Sequence, residues 1–368
     1  MATRDPLALT DEQRALRDTV RGVLADQLPS AALRGMLRTD PGYSPGLHAR
    51  LARELGLAGL TIPGEFGGLG LGPAEACVVH TELGHALYPG PFLASGLAAG
   101  ALLAAGDPVL AGRWLPVLAD GSVAGAIAAA DKDGRWSAGP GRVRAHLTPH
   151  GWRLYGQSWY VIAARVAGIV VVSALAGSMP AMFLVEAGAP GYRPSAQPGL
   201  DLTRRICVIT FDATPAVLLG QGRDAITALD LLERDFLLAT AAEAVGGIGW
   251  CLDEAVVYAK DREQYGRPIG SFQEVAHACV EMLAAFQAAE ATVRYAAVAA
   301  ADGTAEAPGA VRVAALQAGQ SYRAVSEAAI QLFGGIGLTW EHDAHLYYRR
   351  AWSAERLSRG PQAPSPSR

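Results

Sequence analysis

Several residues in the last third of the chain have side chains or backbone that could bind an anionic ligand. Arg262 offers a planar fork of N–H donors that suits oxygen acceptors, and Gln264 and Tyr265 stand beside it. Gly334 and Gly335 allow a ligand to approach the backbone closely, because glycine has no side chain. Both features also have plain structural interpretations. Arg262 can act as a cation at a helix end, and the glycine pair can terminate a helix.

The expected secondary structure changes twice along the chain, from helices to strands and back to helices. Thr10 and Gln13 form a capping box that starts a helical region, and glycine- and β-branched-rich runs separated by turn signals follow it. A second helical region then has one break at 266–268 and a glycine stop at 334–335. We predict an α+β multidomain fold with an N-terminal helical domain (1–120), a middle antiparallel β-domain (121–222), a C-terminal four-helix bundle (223–358) and a disordered tail (359–368).

Composition excludes several classes of protein. The 31 Lys+Arg and 35 Asp+Glu give a net charge of −4, which lacks the basic character of a nucleic-acid-binding protein. Hydrophobic residues reach 51% and charged residues only 18%, so we expect a large core and helices that bury a second face in an oligomer. The four cysteines are far apart, which predicts reduced, buried thiols and no metal site. With no signal pattern or apolar run that predicts a membrane span, we expect a cytoplasmic protein.

Several strings together resemble the acyl-CoA dehydrogenase family. Residues 54–57 (ELGL) and 62–70 (IPGEFGGLG) resemble its N-terminal signature, and residues 252–255 (LDEA) and 258–273 (YAKDREQYGRPIGSFQ) resemble its C-terminal one. Residues 331–337 (QLFGGIG), with Thr339, Glu341 and 349–351 (RRA), match the next signature. The order and spacing agree from about residue 8 to residue 357, which makes the resemblance specific.

The resemblance implies a fold and an activity. Members of this family oxidise the α,β bond of an acyl-CoA: a carboxylate removes the α-proton and hydride passes to FAD. The electrons leave through an electron-transfer flavoprotein. The family fold has helical, β and four-helix domains and assembles as dimers or tetramers, in agreement with the helix–sheet–helix pattern described above.

In this family FAD lies across a subunit interface, so each chain supplies two half-sites. The half that grips the neighbour's FAD at its pyrophosphate and adenosine end, here named the trans half, corresponds to Arg262, Gln264, Tyr265, Gln331, Gly334 and Gly335. The half that holds the flavin ring of the chain's own β-domain, here named the cis half, corresponds to residues 130–137 and 160–162.

The trans half is present, whereas the cis half is eroded. Where the family has a Thr-Glu-Pro-Gly-Ala-Gly-Ser-Asp loop, residues 130–137 are ADKDGRWS, and the methyl of Ala130 replaces a hydroxyl that bonds the flavin ring. The family's Trp-Ile-Thr string aligns with 160–162, where Ile162 replaces a second hydroxyl and Trp159 is one place off. We therefore predict that the chain grips the flavin ring in its own β-domain poorly.

The family's catalytic base is also absent from both of its usual positions. Most members carry a Glu in the last helix, at the position of Ser358 in this chain; the others carry it at the position of Phe236. Neither serine nor phenylalanine can remove the α-proton. We therefore leave the base unassigned.

Three carboxylates lie near the two base positions. Asp235 is rotated about 100° round the helix from Phe236, and Glu243 returns to the same face about 10 Å further along. Glu355 precedes Ser358 by three residues. Each is more readily explained as a solvated or ion-paired carboxylate than as a base. Glu243 and Asp235 stay as weak candidates.

A further string indicates a subgroup. Residues 200–205 (LDLTRR), followed by 208–212 (VITFD), resemble the divergent bacterial branch that acts on sterol side-chain thioesters, in which two different chains pair. This implies a partner subunit of a heteromeric FAD-dependent acyl-CoA dehydrogenase. Two alternatives stay open: a self-sufficient homomer with a displaced base, and a flavin-free acyl-thioester-binding or scaffolding protein.

Overall fold

The computed structural model describes residues 7–134, 136 and 143–359, with side chains as far as Arg356. The described part of the N-terminal region folds into six α-helices. The predicted capping box starts the first of them: the Gln13 N–H donates to Thr10 Oγ1 at 3.2 Å, and the Thr10 N–H donates to Gln13 Oε1 at 3.0 Å. The helices are α1 (Asp11–Gln27), α2 (Ser30–Leu37), α3 (Pro45–Ala49), α4 (Pro73–His85), α5 (Phe92–Ala105) and α6 (Pro108–Ala119).

Within its described residues, the middle region is a seven-stranded sheet that closes on itself, since its strands follow the order β1-β4-β2-β3-β7-β5 and β4 also pairs with β5. The sixth strand, β6, pairs with β7. The strands are β1 (Ala124–Ala128), β2 (Arg144–Thr148), β3 (Gly151–Ile162), β4 (Ala167–Ala176), β5 (Met179–Glu186), β6 (Tyr192–Ala196) and β7 (Ile206–Gln221).

The sheet differs from the predicted one in strand direction. Five strand pairings of this sheet are antiparallel, but β4 runs parallel to β1 and to the first two residues of β2. Parallel neighbours need a long connection that returns the chain to the same end of the sheet, and the segment that contains β2 and β3 supplies it between β1 and β4. Because β4 is buried on both faces, Ile169 and Val171 pack in the helical core, whereas Val170 and Val172 pack in the core of the sheet.

The C-terminal region is a bundle of four helices, α7 (Arg223–Asp261), α8 (Gln273–Ala301), α9 (Ala307–Phe333) and α10 (Ala344–Arg359). The break expected at 266–268 is a two-stranded hairpin of β8 (Glu263–Gln264) and β9 (Arg267–Pro268). As expected, α9 stops at Gly334, whose φ is +65°. α10 ends one residue into the segment assigned to the tail, and residues 360–368 lie outside the described residues.

α7 is the central helix of the fold. It packs against α4, α5, α8, α9 and α10. Two glycines bring α4 and α7 together: a Cβ at Gly84 would lie 2.1 Å from the Glu243 carbonyl oxygen, and one at Gly246 would lie 1.9 Å from that of Thr81. Among the described residues α7 alone is long and apolar enough to cross a membrane, and 89% of its apolar window is buried inside the fold.

All four cysteines are free thiols, as predicted. Cys77, Cys207 and Cys251 are buried, whereas Cys279 is only partly buried, which corrects the expectation that all four are buried. Cys279 lies on α8, where many side chains in the first half of the helix face solvent.

Candidate active site

The ends of α7 and α9 meet at one tip of the bundle. Tyr258, near the end of α7, contacts Phe333, the last residue of α9, with ring centroids 5.2 Å apart in an edge-to-face arrangement. The N–H of Arg262 donates to the Tyr258 carbonyl at 2.9 Å and ends α7. The structure therefore brings Arg262 to the same tip as the glycine turn that begins at Gly334.

A hairpin turn carries Tyr265 away from the body of the protein. Tyr265 and Gly266 both have positive φ angles, +51° and +76°, as the two central residues of a type I′ turn do. The Tyr265 side chain is 92% exposed. The N–H of Ile269 donates to the Arg262 carbonyl at 2.8 Å and ties the hairpin to the end of α7. A non-glycine residue in this strained conformation often lies at a ligand site.

The turn after α9 leaves space beside the backbone. A Cβ at either Gly334 or Gly335 would meet no atom within 4 Å, and Gln331 is exposed one turn earlier. Together with the exposed Arg262 and Tyr265, this surface offers charged donors, an aromatic face and unobstructed backbone. The trans half therefore fits the pyrophosphate and adenosine end of an FAD molecule.

In the cis half, the start of the flavin loop is bonded to β3. The Ala130 carbonyl accepts hydrogen bonds from the backbone N–H of Trp159 and from Oγ of Ser158, each at 3.0 Å. Tyr160 has a φ of +55°, and the strand register shifts between Ser158 and Val161. The bulge inserts one residue into β3, in the segment that contains Trp159.

Trp136 fills the space between this loop and α7. Its backbone pairs with that of Ala130, and its ring stacks on Phe236 with centroids 4.9 Å apart and planes 28° apart. Phe236 itself is only 3% exposed. Arg135 and residues 137–142 lie outside the described residues. The described part of the cis half does not fit FAD, because two hydroxyls are missing and an indole covers one of the base positions.

Asp235 faces a different part of the molecule from Phe236. It lines a cavity of about 440 Å³ between α4, α5 and α7, together with His80 and Leu238. Its side chain is 41% exposed, and Oδ1 lies 2.7 Å from Nη2 of Arg234. Burial raises the pKa of Asp235, and the Arg234 charge partly offsets that effect.

Glu243 lies in a buried cluster of charges. Its side chain is 11% exposed, Oε2 is 3.1 Å from Nη1 of Arg350, and Arg204 forms a second hydrogen-bonded ion pair with the same oxygen. Nδ1 of His80 lies 3.4 Å from Oε1. Burial alone would raise the pKa of Glu243, but Arg204, His80 and Arg350 together hold it well below its usual range.

Residues 200–205, the string that indicated the subgroup, supply the other members of this cluster. Arg350 Nε lies 2.8 Å from Oδ2 of Asp201, and its guanidinium donates to Oγ1 of Thr203 at 2.6 Å. Two buried cations therefore face two buried anions, Asp201 and Glu243. The cluster joins the β6–β7 connection to α7 and α10, and it borders a cavity of about 270 Å³. Arg204 and Arg350 both lie in strings that resemble the family, but the sequence did not predict that either pairs with Glu243.

The remaining carboxylate near a base position is also paired. Glu355 is 5% exposed, and its Oε2 lies 3.4 Å from Nη1 of Arg323. Ser358 lies in the last turns of α10, and its side chain is beyond those that the structure describes.

Comparison with known proteins identifies the family. The acyl-CoA dehydrogenase N-terminal domain model matches residues 10–122, and the C-terminal domain model matches residues 232–361. Acyl-CoA dehydrogenase IpdE2 of Mycobacterium tuberculosis is 35% identical over 354 residues, which cover 96% of this chain and 94% of that protein.

Two solved structures are similar over almost the whole chain. One chain of the ChsE4-ChsE5 complex from Mycobacterium tuberculosis has a TM-score of 0.87 at 28% identity and covers 96% of this chain and 95% of that one. A variant of the Tcur3481-Tcur3483 steroid ACAD has a TM-score of 0.84 at 29% identity, covering 94% and 92%. These findings confirm the predicted fold class and the resemblance, and the chain belongs to the acyl-CoA dehydrogenase family, whose members are flavoprotein oxidoreductases that act on CH–CH bonds.

Proposed function

We propose that this chain is the partner subunit of a heteromeric FAD-dependent acyl-CoA dehydrogenase and lends its trans half to a related chain. The observation that carries the proposal is the contrast between the two halves. The trans half is assembled and exposed at one tip of the bundle, whereas the described cis half is occupied by the stacked pair Trp136 and Phe236. A chain built in this way can complete a neighbour's flavin site and cannot use its own.

The similar proteins support a paired assembly and a substrate class. One of the two solved structures is a complex of ChsE4 with ChsE5, and the other is a steroid ACAD that carries the names of two chains, Tcur3481 and Tcur3483. The substrate that we propose is accordingly a sterol side-chain acyl-CoA or a related acyl thioester. We expect the chain to act in the cytoplasm and the complex to pass its electrons to an electron-transfer flavoprotein.

Each residue of the trans half has a role that follows from its chemistry. The Arg262 guanidinium would pair with the pyrophosphate, and the open backbone at Gly334 and Gly335 would let that group come close. Gln264 and Gln331 would donate amide hydrogen bonds, and the Tyr265 ring would pack on the adenosine end. FAD, when bound, supplies the hydride acceptor, and the partner chain supplies the base.

Glu243 is better suited to holding the fold than to removing a proton. A general base needs a pKa near the operating pH, whereas two guanidinium groups keep this carboxylate ionised and poorly basic. Its contacts join the sheet domain to α7 and α10. This geometry disfavours the alternative of a self-sufficient homomer that uses Glu243 as a displaced base.

Flavin stoichiometry tests the proposal. The chain is purified alone and after co-expression with a related acyl-CoA dehydrogenase chain from the same organism, and FAD is measured from the flavin absorption bands. We expect a colourless chain alone and one FAD per pair of unlike chains. A yellow homomer with one FAD per chain would contradict the proposal. A protein that is colourless in every combination would instead favour the flavin-free acyl-thioester-binding alternative.

A further inference from the structure

The loop between Ala130 and Trp136 folds back on itself. The Ala130 backbone forms one antiparallel bridge with Trp136 and another with Trp159. Between them, the Gly134 N–H donates to the Asp131 carbonyl at 3.0 Å and closes the turn. Trp136 is thus held next to Ala130, the residue that replaces the family's flavin-binding hydroxyl.

The indole of Trp136 reaches from this loop to the central helix. It stacks on Phe236, which is almost completely buried on α7. The two positions that this stack joins have complementary roles in a complete site, because a base must contact one carbon of the substrate while the flavin contacts the adjacent one. A complete site of this family must seat a flavin and a substrate near these two positions, and in this chain the indole of Trp136 lies directly on the Phe236 ring instead.

The stack also explains a replacement that the sequence leaves unexplained. Phenylalanine at position 236 cannot act as a base, but it supplies an apolar face on which an indole packs at a stacking distance. Ala130 and Ile162 present methyl groups where the family has hydroxyls, so neither side chain can form a hydrogen bond with a flavin ring. Trp136 and Phe236 form one apolar unit, and neither residue belongs to the trans half.

We infer that Trp136 is a built-in plug: its indole, seated on Phe236, excludes the flavin ring from this chain's own cis half. The inference rests on the proposed function and deepens it, since the plug would limit the complex to flavin in the partner's cis half. It also separates two causes of flavin loss, namely the missing hydroxyls and the filled space.

A two-by-two set of variants of the full isolated chain tests the plug. The wild type, the hydroxyl-restoring pair Ala130→Thr with Ile162→Thr, the plug removal Trp136→Ala, and all three changes together are titrated with FAD. Flavin fluorescence quenching and the shift of the flavin absorption band report the environment of the ring. We expect no saturable change for the wild type or the hydroxyl pair, at least a tenfold gain in affinity for Trp136→Ala, and the tightest binding for the triple variant.

Two further variants serve as controls. Trp136→Phe keeps an aromatic ring over position 236 and should behave as the wild type does. Phe236→Ala opens the same space from the helix side, and it replaces Trp136→Ala in the test if that variant does not fold. FAD binding by the hydroxyl pair with the indole in place would overturn the inference, as would a cooperatively folded Trp136→Ala with unchanged affinity. Because the titration uses the isolated chain, its result is independent of flavin retention in the heteromeric complex, which tests the proposed function.

Discussion

Oε2 of Glu243 lies 3.1 Å from Nη1 of Arg350, in an ion pair that joins α7 to α10. Both side chains are almost completely buried, and Arg204 from the sheet domain meets the same carboxylate oxygen. Glu243 shares a helix face with Phe236, which made it a candidate base. In the folded chain its charge is instead balanced by two cations at the junction of the sheet and the bundle.

Glu243→Gln should destabilise the fold strongly. Removing the charge of Glu243 leaves Arg204 without this carboxylate partner and leaves Arg350 paired with Asp201 alone, and the loss of one member of a buried ion pair costs about 3–5 kcal/mol. The free energy of unfolding from urea titrations measures the effect. Glu290→Gln is the matched control, because its pair with Arg294 is about one-third exposed on both sides and should contribute less than about 1 kcal/mol. Equal stability of Glu243→Gln and the wild type would contradict the structural role.

The isolated chain should not dehydrogenate an acyl-CoA. The two family base positions hold Phe236 and Ser358, and a displacement of a base by about 1 Å can slow proton removal on the order of a hundredfold. The assay is flavin bleaching under anaerobic conditions with a panel of acyl-CoAs, on the wild-type chain supplied with FAD. Rapid reduction that either Glu243→Gln or Asp235→Asn abolishes, in protein that stays folded, would make this a complete enzyme with a relocated base.

Gly84→Ala should weaken the contact between α4 and α7. The added methyl would lie 2.1 Å from the Glu243 carbonyl oxygen, which is backbone and cannot rotate away. We expect a loss of about 1–3 kcal/mol in the free energy of unfolding. Gly249→Ala on α7 is the control: its nearest neighbour is a ring carbon of Phe286 at 3.4 Å, so the helix propensity of alanine should raise stability by about 0.5–1 kcal/mol. Similar effects of both substitutions would show that the close approach is not required.

His48 should make the fold sensitive to mild acid. Burial lowers its pKa from 6.5 to about 4, so between these values the unfolded chain binds a proton that the folded chain does not. The contribution of His48 to stability is therefore fully present above pH 6.5, and about 3 kcal/mol of it is lost as the pH drops to 4. Urea titrations across this range should show that His48→Gln removes this part of the pH dependence, whereas a substitution at the exposed His150 leaves it in place. An unchanged slope in His48→Gln would contradict the assignment.

Local signals in the sequence predicted those features that depend on neighbours in the chain. The Thr10 capping box and the stop at Gly334 are confirmed, because caps and glycine turns are set by a few adjacent residues. The β-branched runs of the middle region form β4, β5 and β7, because branched side chains favour extended backbone.

Features that depend on distant residues could not be predicted in this way. The parallel pairing of β1 with β4 is decided by how the intervening segment returns the chain, and no local pattern reports it. The pairing of Glu243 with Arg204 and Arg350 brings together three regions of the chain, so the sequence indicated a solvated or ion-paired carboxylate at position 243 without indicating its partners. The stack of Trp136 on Phe236 is likewise a contact between the sheet domain and α7.

The central claim is that the trans half of this chain holds FAD in a partner chain, and Arg262→Ala in the heteromeric complex tests it most directly. The dissociation constant of FAD is measured by equilibrium dialysis of the complex, with Arg267→Ala as the control, since that neighbouring guanidinium already lies over the Phe272 ring at 4.1 Å. A charge-assisted contact is worth about 1.5–3 kcal/mol, so we predict that Arg262→Ala weakens FAD binding by about ten- to a hundredfold and leaves the complex intact. Unchanged FAD affinity in that complex would contradict the account and leave Arg262 a surface cation.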